Sequence, residues 1–156
     1  MTGIQSVTNP TLKAFFGDRL SIYNIPEYQR EYSWKVTGDA EVEVLWSDLE
    51  DYMEESPIQN YFMGPVLLYE DVNDRNDFIK YSIVDGQQRL ATISILCAAF
   101  RDAYLFYAEQ FGSGDVLTTA DNELVSELRI YAKNIQKQFI LKKFSDSNNQ
   151  ERFEKT

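Results

Sequence analysis

Apolar positions recur along this chain with two periods, and the places where one yields to the other mark its elements. Pro10 opens a short amphipathic segment, residues 11–16, that ends at Gly17 and predicts a helix of one or two turns. Residues 20–25 alternate like a strand and halt at Pro26. Over residues 39–55, Val42, Leu45, Trp46, Leu49, Tyr52 and Met53 fall on one helical face. Residues 61–69 and 78–84 read as strands, and the Asp- and Asn-rich linker 70–77 makes a hairpin of them. After Gly86, Leu90, Ile93, Cys97, Phe100, Tyr104, Tyr107 and Phe111 recur at spacings of three and four, a core stripe closed by Gly112-Ser113-Gly114. A second helix over 121–139 repeats the pattern with Leu124, Leu128, Tyr131, Ile135 and Phe139. Residues 140–144 look like a strand, and 146–156 like the start of another helix that the chain cuts short.

These elements predict an α+β domain: a small mixed sheet flanked by helices, with a helical C-terminal part. The 156 residues, 44% apolar and 14% aromatic, suit one domain, with a core over 1–112 and a helical extension over 113–156. The abrupt end is expected of a fragment cut from a longer chain. No apolar stretch approaches bilayer-spanning length and the N-terminus lacks a signal pattern, so a cytoplasmic protein without membrane contact is expected. Cys97, the single cysteine, lies on the apolar face and reads as a small core residue.

Charge narrows the chemistry. Residues 1–128 hold 8 basic and 22 acidic side chains, whereas residues 129–156 hold 7 basic and 3 acidic. The acidic bulk is a poor surface for duplex DNA. The cationic end can touch nucleic acid or pair with the acidic body, and pairing is the preferred reading. Histidine is absent, which removes Ser-His-Asp hydrolysis and histidine-dependent nuclease chemistry from this chain.

Residues 83–93 read Ile-Val-Asp-Gly-Gln-Gln-Arg-Leu-Ala-Thr-Ile. A strand that turns at Gly86 and feeds a helix brings free backbone N–H groups and the positive end of a helix dipole to one point. The block lacks the lysine and glycine spacing of a Walker loop, so a P-loop is excluded. One reading makes Asp85 an N-cap, Gly86 a turn residue and the next three an exposed first turn. The other makes it a phosphate site, because Arg89 at a helix start opposes the dipole unless an anion sits beside it. Gly86 would then admit the phosphate, Arg89 would neutralise it, Gln87 and Gln88 would orient water or meet base or ribose, and Asp85 would hold Mg²⁺ through water or polarise the attacking water. Asp85, Gln87, Gln88 and Arg89 are the catalytic candidates.

Pro26 leads into Tyr28-Gln29-Arg30 and Trp34, a dense set of polar and aromatic side chains for a connector. Either Tyr32 and Trp34 fold back onto the core, or this loop walls a nucleotide pocket, with Trp34 a candidate for base stacking. Gly64, inside a strand-like run, marks a bulge or a close backbone approach.

At these residues the chain resembles the N-terminal domains of GmrSD-type restriction systems, a branch of the ParB/sulfiredoxin-like fold. The matching pieces are residues 25–34, 45–48, 61–64 and 83–93, in the same order and spacing over nearly the whole chain. The one departure is Ala91, where the family usually has Thr; Thr92 and the five-residue block are intact. The resemblance implies a domain that binds and hydrolyses a nucleoside triphosphate, with Mg²⁺, in defence against phage or modified DNA. It implies an HNH-type nuclease on a C-terminal or separate domain, which this histidine-free chain does not contain. By the same resemblance Asp85, Gly86, Gln87, Gln88 and Arg89 form the nucleotide site, with Tyr28, Gln29, Arg30, Gly64 and Thr92 around it. A non-catalytic module sensing a nucleotide or modified DNA is the alternative.

Overall fold

A computed structural model of the chain describes residues 6–18, 20–37, 40–55, 60–71, 79–114, 118–145 and 151–155. In order, the elements are α1 (Leu12–Gly17), β1 (Ser21–Asn24), α2 (Glu41–Glu54), β2 (Leu67–Glu70), β3 (Ile79–Asp85), α3 (Gln87–Gly112), α4 (Thr119–Ile135), a π-helical turn (Gln136–Ile140), β4 (Leu141–Ser145) and β5 (Glu151–Lys155). Chain contacts form two compact units, Leu20–Ile93 and Met1–Arg19 with Ser94–Thr156, and α3 belongs to both. The class is the expected α+β with a small mixed sheet.

In the Leu20–Ile93 unit the strand order is β1-β3-β2. β3 runs parallel to β1, with Tyr23 opposite Tyr81, and antiparallel to β2, with a register shift between Leu67 and Leu68. The Tyr23 and Tyr81 rings stack with centroids 5.8 Å apart, which ties the central strand to its edge. The expected hairpin is formed, although its linker 72–78 lies outside the described residues. Its first strand is shorter than the pattern predicts. Gly64 has φ +88° and Pro65 carries no N–H, so pairing begins only at Leu67. On α2, Leu45 is buried, while Trp46 and Met53 on the predicted inner face are exposed. Ile83, Leu90 and Ile93 complete the apolar centre.

In the other unit, Thr11 caps α1 through its hydroxyl, which accepts from the Ala14 N–H. Thr118 and Asp121 form a reciprocal capping box at the start of α4, and these hydrogen bonds hold the Asp121 carboxyl below its ordinary range. The expected core stripe of α3 is corrected here. Phe100, Tyr107 and Phe111 are exposed, and the face that meets α4 is Arg101, Tyr104, Ala108 and Gly112. Arg101 donates to Gln136 Oε1, Tyr104 stacks on Tyr131, and Gly112 lies against Val125, which sets the helices antiparallel. Ala108 and Ala132 are almost fully buried. The buried positions of this helix pair thus include small residues, while several large apolar side chains of the predicted stripe stand exposed.

Two further expectations change. Residues 151–155, read as a helix start, form β5 and pair antiparallel with β4. So short a run nucleates a helix poorly, and β4 offers it backbone partners. Among the described residues, Arg129, Lys133 and Lys137 make no ion pair. α3, at 26 residues, is by length and composition long and apolar enough to cross a membrane, although Arg101 and Asp102 form an ion pair in its middle. Cys97 is half-buried, and burial pushes its thiol pKa up, which makes it a poor nucleophile.

Candidate functional site

β3 delivers Asp85 to the edge of a sharp turn, and Gly86 carries the chain round it with φ +91°. A side chain there would meet the protein itself. A Cβ on Gly86 would lie 3.1 Å from Val66 Cγ2, 3.2 Å from the Pro65 carbonyl oxygen and 3.3 Å from Val66 Cα. The close approach that this glycine permits is therefore made by residues 65–66.

The first two turns of α3 are unusual in what they bury. Among the described residues the buried polar side chains are Ser21, Gln87, Gln88 and Thr92, three of them on these turns. Buried amides and hydroxyls require partners, and the loop after Pro26 supplies them. Gln87 Nε2 donates to the Arg30 carbonyl at 3.0 Å. Gln88 Nε2 donates to the Glu31 carbonyl at 3.0 Å, and Gln88 Oε1 accepts from the Ser33 N–H at 2.8 Å. The Tyr32 hydroxyl lies 3.0 Å from Thr92 Oγ1, which itself donates to the Gln88 carbonyl at 2.9 Å. Because the Thr92 proton is so used, Tyr32 is the donor. Gln29 Nε2 donates to the Val84 carbonyl at 2.9 Å, two residues past the last β1–β3 pair.

This fastening leaves a hollow of about 310 Å³ between loop and helix. Gln29, Arg30, Gln87, Gln88 and Ala91 line it, with Ile25, Pro26 and Tyr32 giving apolar surface and Glu27 and Glu31 adding carboxylates. Gln87 Oε1 accepts from no described residue. The hollow thus holds one guanidinium against two carboxylates, which suits an uncharged, hydrogen-bonding group better than a polyphosphate.

Arg89 lies on the other side of the helix start. Its Nη1 donates to the Pro65 carbonyl at 2.8 Å, and a Cβ on Gly64 would lie 3.0 Å from its Cζ. Gly64 is thus the residue that makes room for this guanidinium. Arg89 is half-buried and in no ion pair with a described residue, so most of its donors remain open to an anion. The Asp85 carboxylate is exposed and makes no hydrogen bond to a described residue, so it is not an N-cap. No group of three or more His, Cys, Asp or Glu fit to hold a metal occurs among the described residues.

The structure therefore divides the candidate residues between two faces of one helix start. Gln29, Arg30, Gln87 and Gln88 meet at the hollow, while Asp85, Gly86, Gly64 and Arg89 surround the turn. Thr92 is behind the hollow, held by Tyr32 and buried. Tyr28 is 76% exposed and does not line this hollow, and Trp34 is half-buried outside it. Sequence reasoning missed Tyr32 and Ser33 as loop fasteners and Ala91 as hollow lining. Its one usable signal was the pairing of buried-helix amides with a loop too polar to be a plain connector.

Comparison with curated proteins and with solved structures finds no match to the chain. The family model described as GmrSD restriction endonuclease, N-terminal domain, matches residues 12–156, which includes both faces of the helix start and the fastened loop. On that match the chain belongs to the GmrSD restriction endonuclease N-terminal domain family, and so forms part of a restriction system.

Proposed function

We propose that this domain binds a nucleoside triphosphate at the start of α3, hydrolyses it, and through occupancy or turnover controls a nuclease domain elsewhere in the system. The observation that carries the reading is Arg89. A half-buried guanidinium with open donors stands at a helix N-terminus whose first N–H groups have no partner within the helix, and an exposed carboxylate stands nearby. The polyphosphate belongs at the turn, where Arg89 and those N–H groups converge. The base and sugar are assigned to the hollow on the other face of the helix start, which has the volume of a small ligand site and offers Arg30 as donor and Gln87 Oε1 as acceptor.

Mg²⁺ fits this arrangement in one way only. It commonly binds through one or two carboxylates together with substrate phosphates and water. Asp85 is the residue to hold it, and the ion would supply neutralisation of phosphate charge. Asp85 and Gln87 are then the groups of this chain available to orient an attacking water, since no histidine exists. In the whole system, modified DNA is the expected further partner.

A second reading is a module that senses a nucleotide or modified base and turns nothing over. It is favoured by Gln88, whose amide oxygen and nitrogen each bond the loop backbone, which fits a structural role better than the positioning of a water. Phosphate release from a panel of nucleoside triphosphates, with and without Mg²⁺, separates the two. Metal-dependent release by the pure chain is expected; tight binding with no release would establish the sensor.

A further inference from the structure

Five hydrogen bonds fasten residues 29–33, a segment without regular structure, to residues 84–92. We propose that Gln88 and Tyr32 are positioning residues that latch this loop onto α3 and so fix where Arg30 stands in the hollow. The identification of the ligand as a nucleotide rests on the preceding reading; the latch does not.

The geometry divides the labour. Gln88 grips the backbone on both sides of Tyr32, accepting from the Ser33 N–H and donating to the Glu31 carbonyl. Gln87 takes the Arg30 carbonyl. With its own carbonyl turned to the helix, Arg30 remains exposed at its side chain and lines the hollow. Tyr32 closes the latch from outside through its hydroxyl to Thr92, the most buried polar side chain among those described. Gln88 is 7% exposed, and its amide oxygen and nitrogen each hold the loop backbone, so a change at Gln88 acts on the loop.

Trypsin cleavage after Arg30 in the ligand-free chain tests this, because proteolysis follows the population of the open form when closing is fast. Two variants are suited to it. Gln88→Glu keeps an acceptor for Ser33 but sets a carboxylate against the Glu31 carbonyl, and Tyr32→Phe removes only a hydroxyl. Cleavage at Arg30 is expected to rise about tenfold in Gln88→Glu and about threefold in Tyr32→Phe, while Thr92→Ser, which keeps the hydroxyl, stays near the original rate. In nucleotide turnover both variants should raise KM with kcat held within about twofold. Unchanged cleavage in both variants would overturn the latch, as would a fall in kcat at constant KM in Gln88→Glu. Faster cleavage from variants of a chain that binds no nucleotide would uphold the latch and remove the nucleotide reading.

Discussion

Gly86→Ala is expected to lower the stability of the folded chain by about 2–5 kcal/mol. Two costs combine. A φ of +91° lies where a residue with a Cβ is strained whatever the space around it. The added methyl would also press on Val66 Cα and the Pro65 carbonyl oxygen, which are backbone atoms and cannot swing aside as a long side chain can. A small domain has only about 5–15 kcal/mol of stability to lose, so the melting transition should fall steeply. Gly64→Ala is the control. Its φ is also positive, but the atoms it would meet are the far end of Arg89, so the damage should be smaller and concentrated on the guanidinium. Denaturant unfolding of both variants checks this. Equal midpoints for the original chain and Gly86→Ala would mean that the Val66–Gly86 contact is not formed as described.

Arg89→Ala is expected to weaken nucleoside triphosphate binding by about 10- to 100-fold while moving the melting temperature little. One hydrogen bond from a half-buried side chain to the Pro65 carbonyl contributes about 1 kcal/mol to folding. A charge-assisted contact to phosphate is worth more than that. Arg89→Lys should recover only part of the affinity, because an ammonium keeps the charge and loses the planar fork. Gly64→Ala should behave like a mild Arg89 variant, since the new methyl displaces the same guanidinium. Titration calorimetry alongside thermal melts separates binding from folding. Arg89→Ala with undiminished affinity would move the phosphate site away from this residue.

How much of this was legible beforehand depends on how local each feature is. The strand, the Gly86 turn and the helix after it are dictated by neighbours in the chain, and they fall where the pattern predicts. Capping at Thr11 and the antiparallel pairing of β2 with β3 are equally local. The partners of Gln87 and Gln88 are not, because each glutamine reaches a backbone group 55 to 57 residues away. Spacing can place an amide on a helix face, but it cannot say whether that amide meets water, ligand or loop. The α3–α4 contact misleads for another reason. The pattern weights large apolar residues, whereas the most buried positions are the small Ala108 and Ala132, and Gly112 lies against Val125. Residues 151–155 illustrate the same limit, since their state is decided by the availability of β4 as a partner.

Titration calorimetry of the pure chain with ATP, GTP, CTP and UTP, each with Mg²⁺, tests the central claim most directly. Saturable binding of at least one triphosphate near one equivalent, lost in Arg89→Ala, is the predicted result. No heat and no thermal shift with any of the four, from a chain that melts cooperatively, would contradict it.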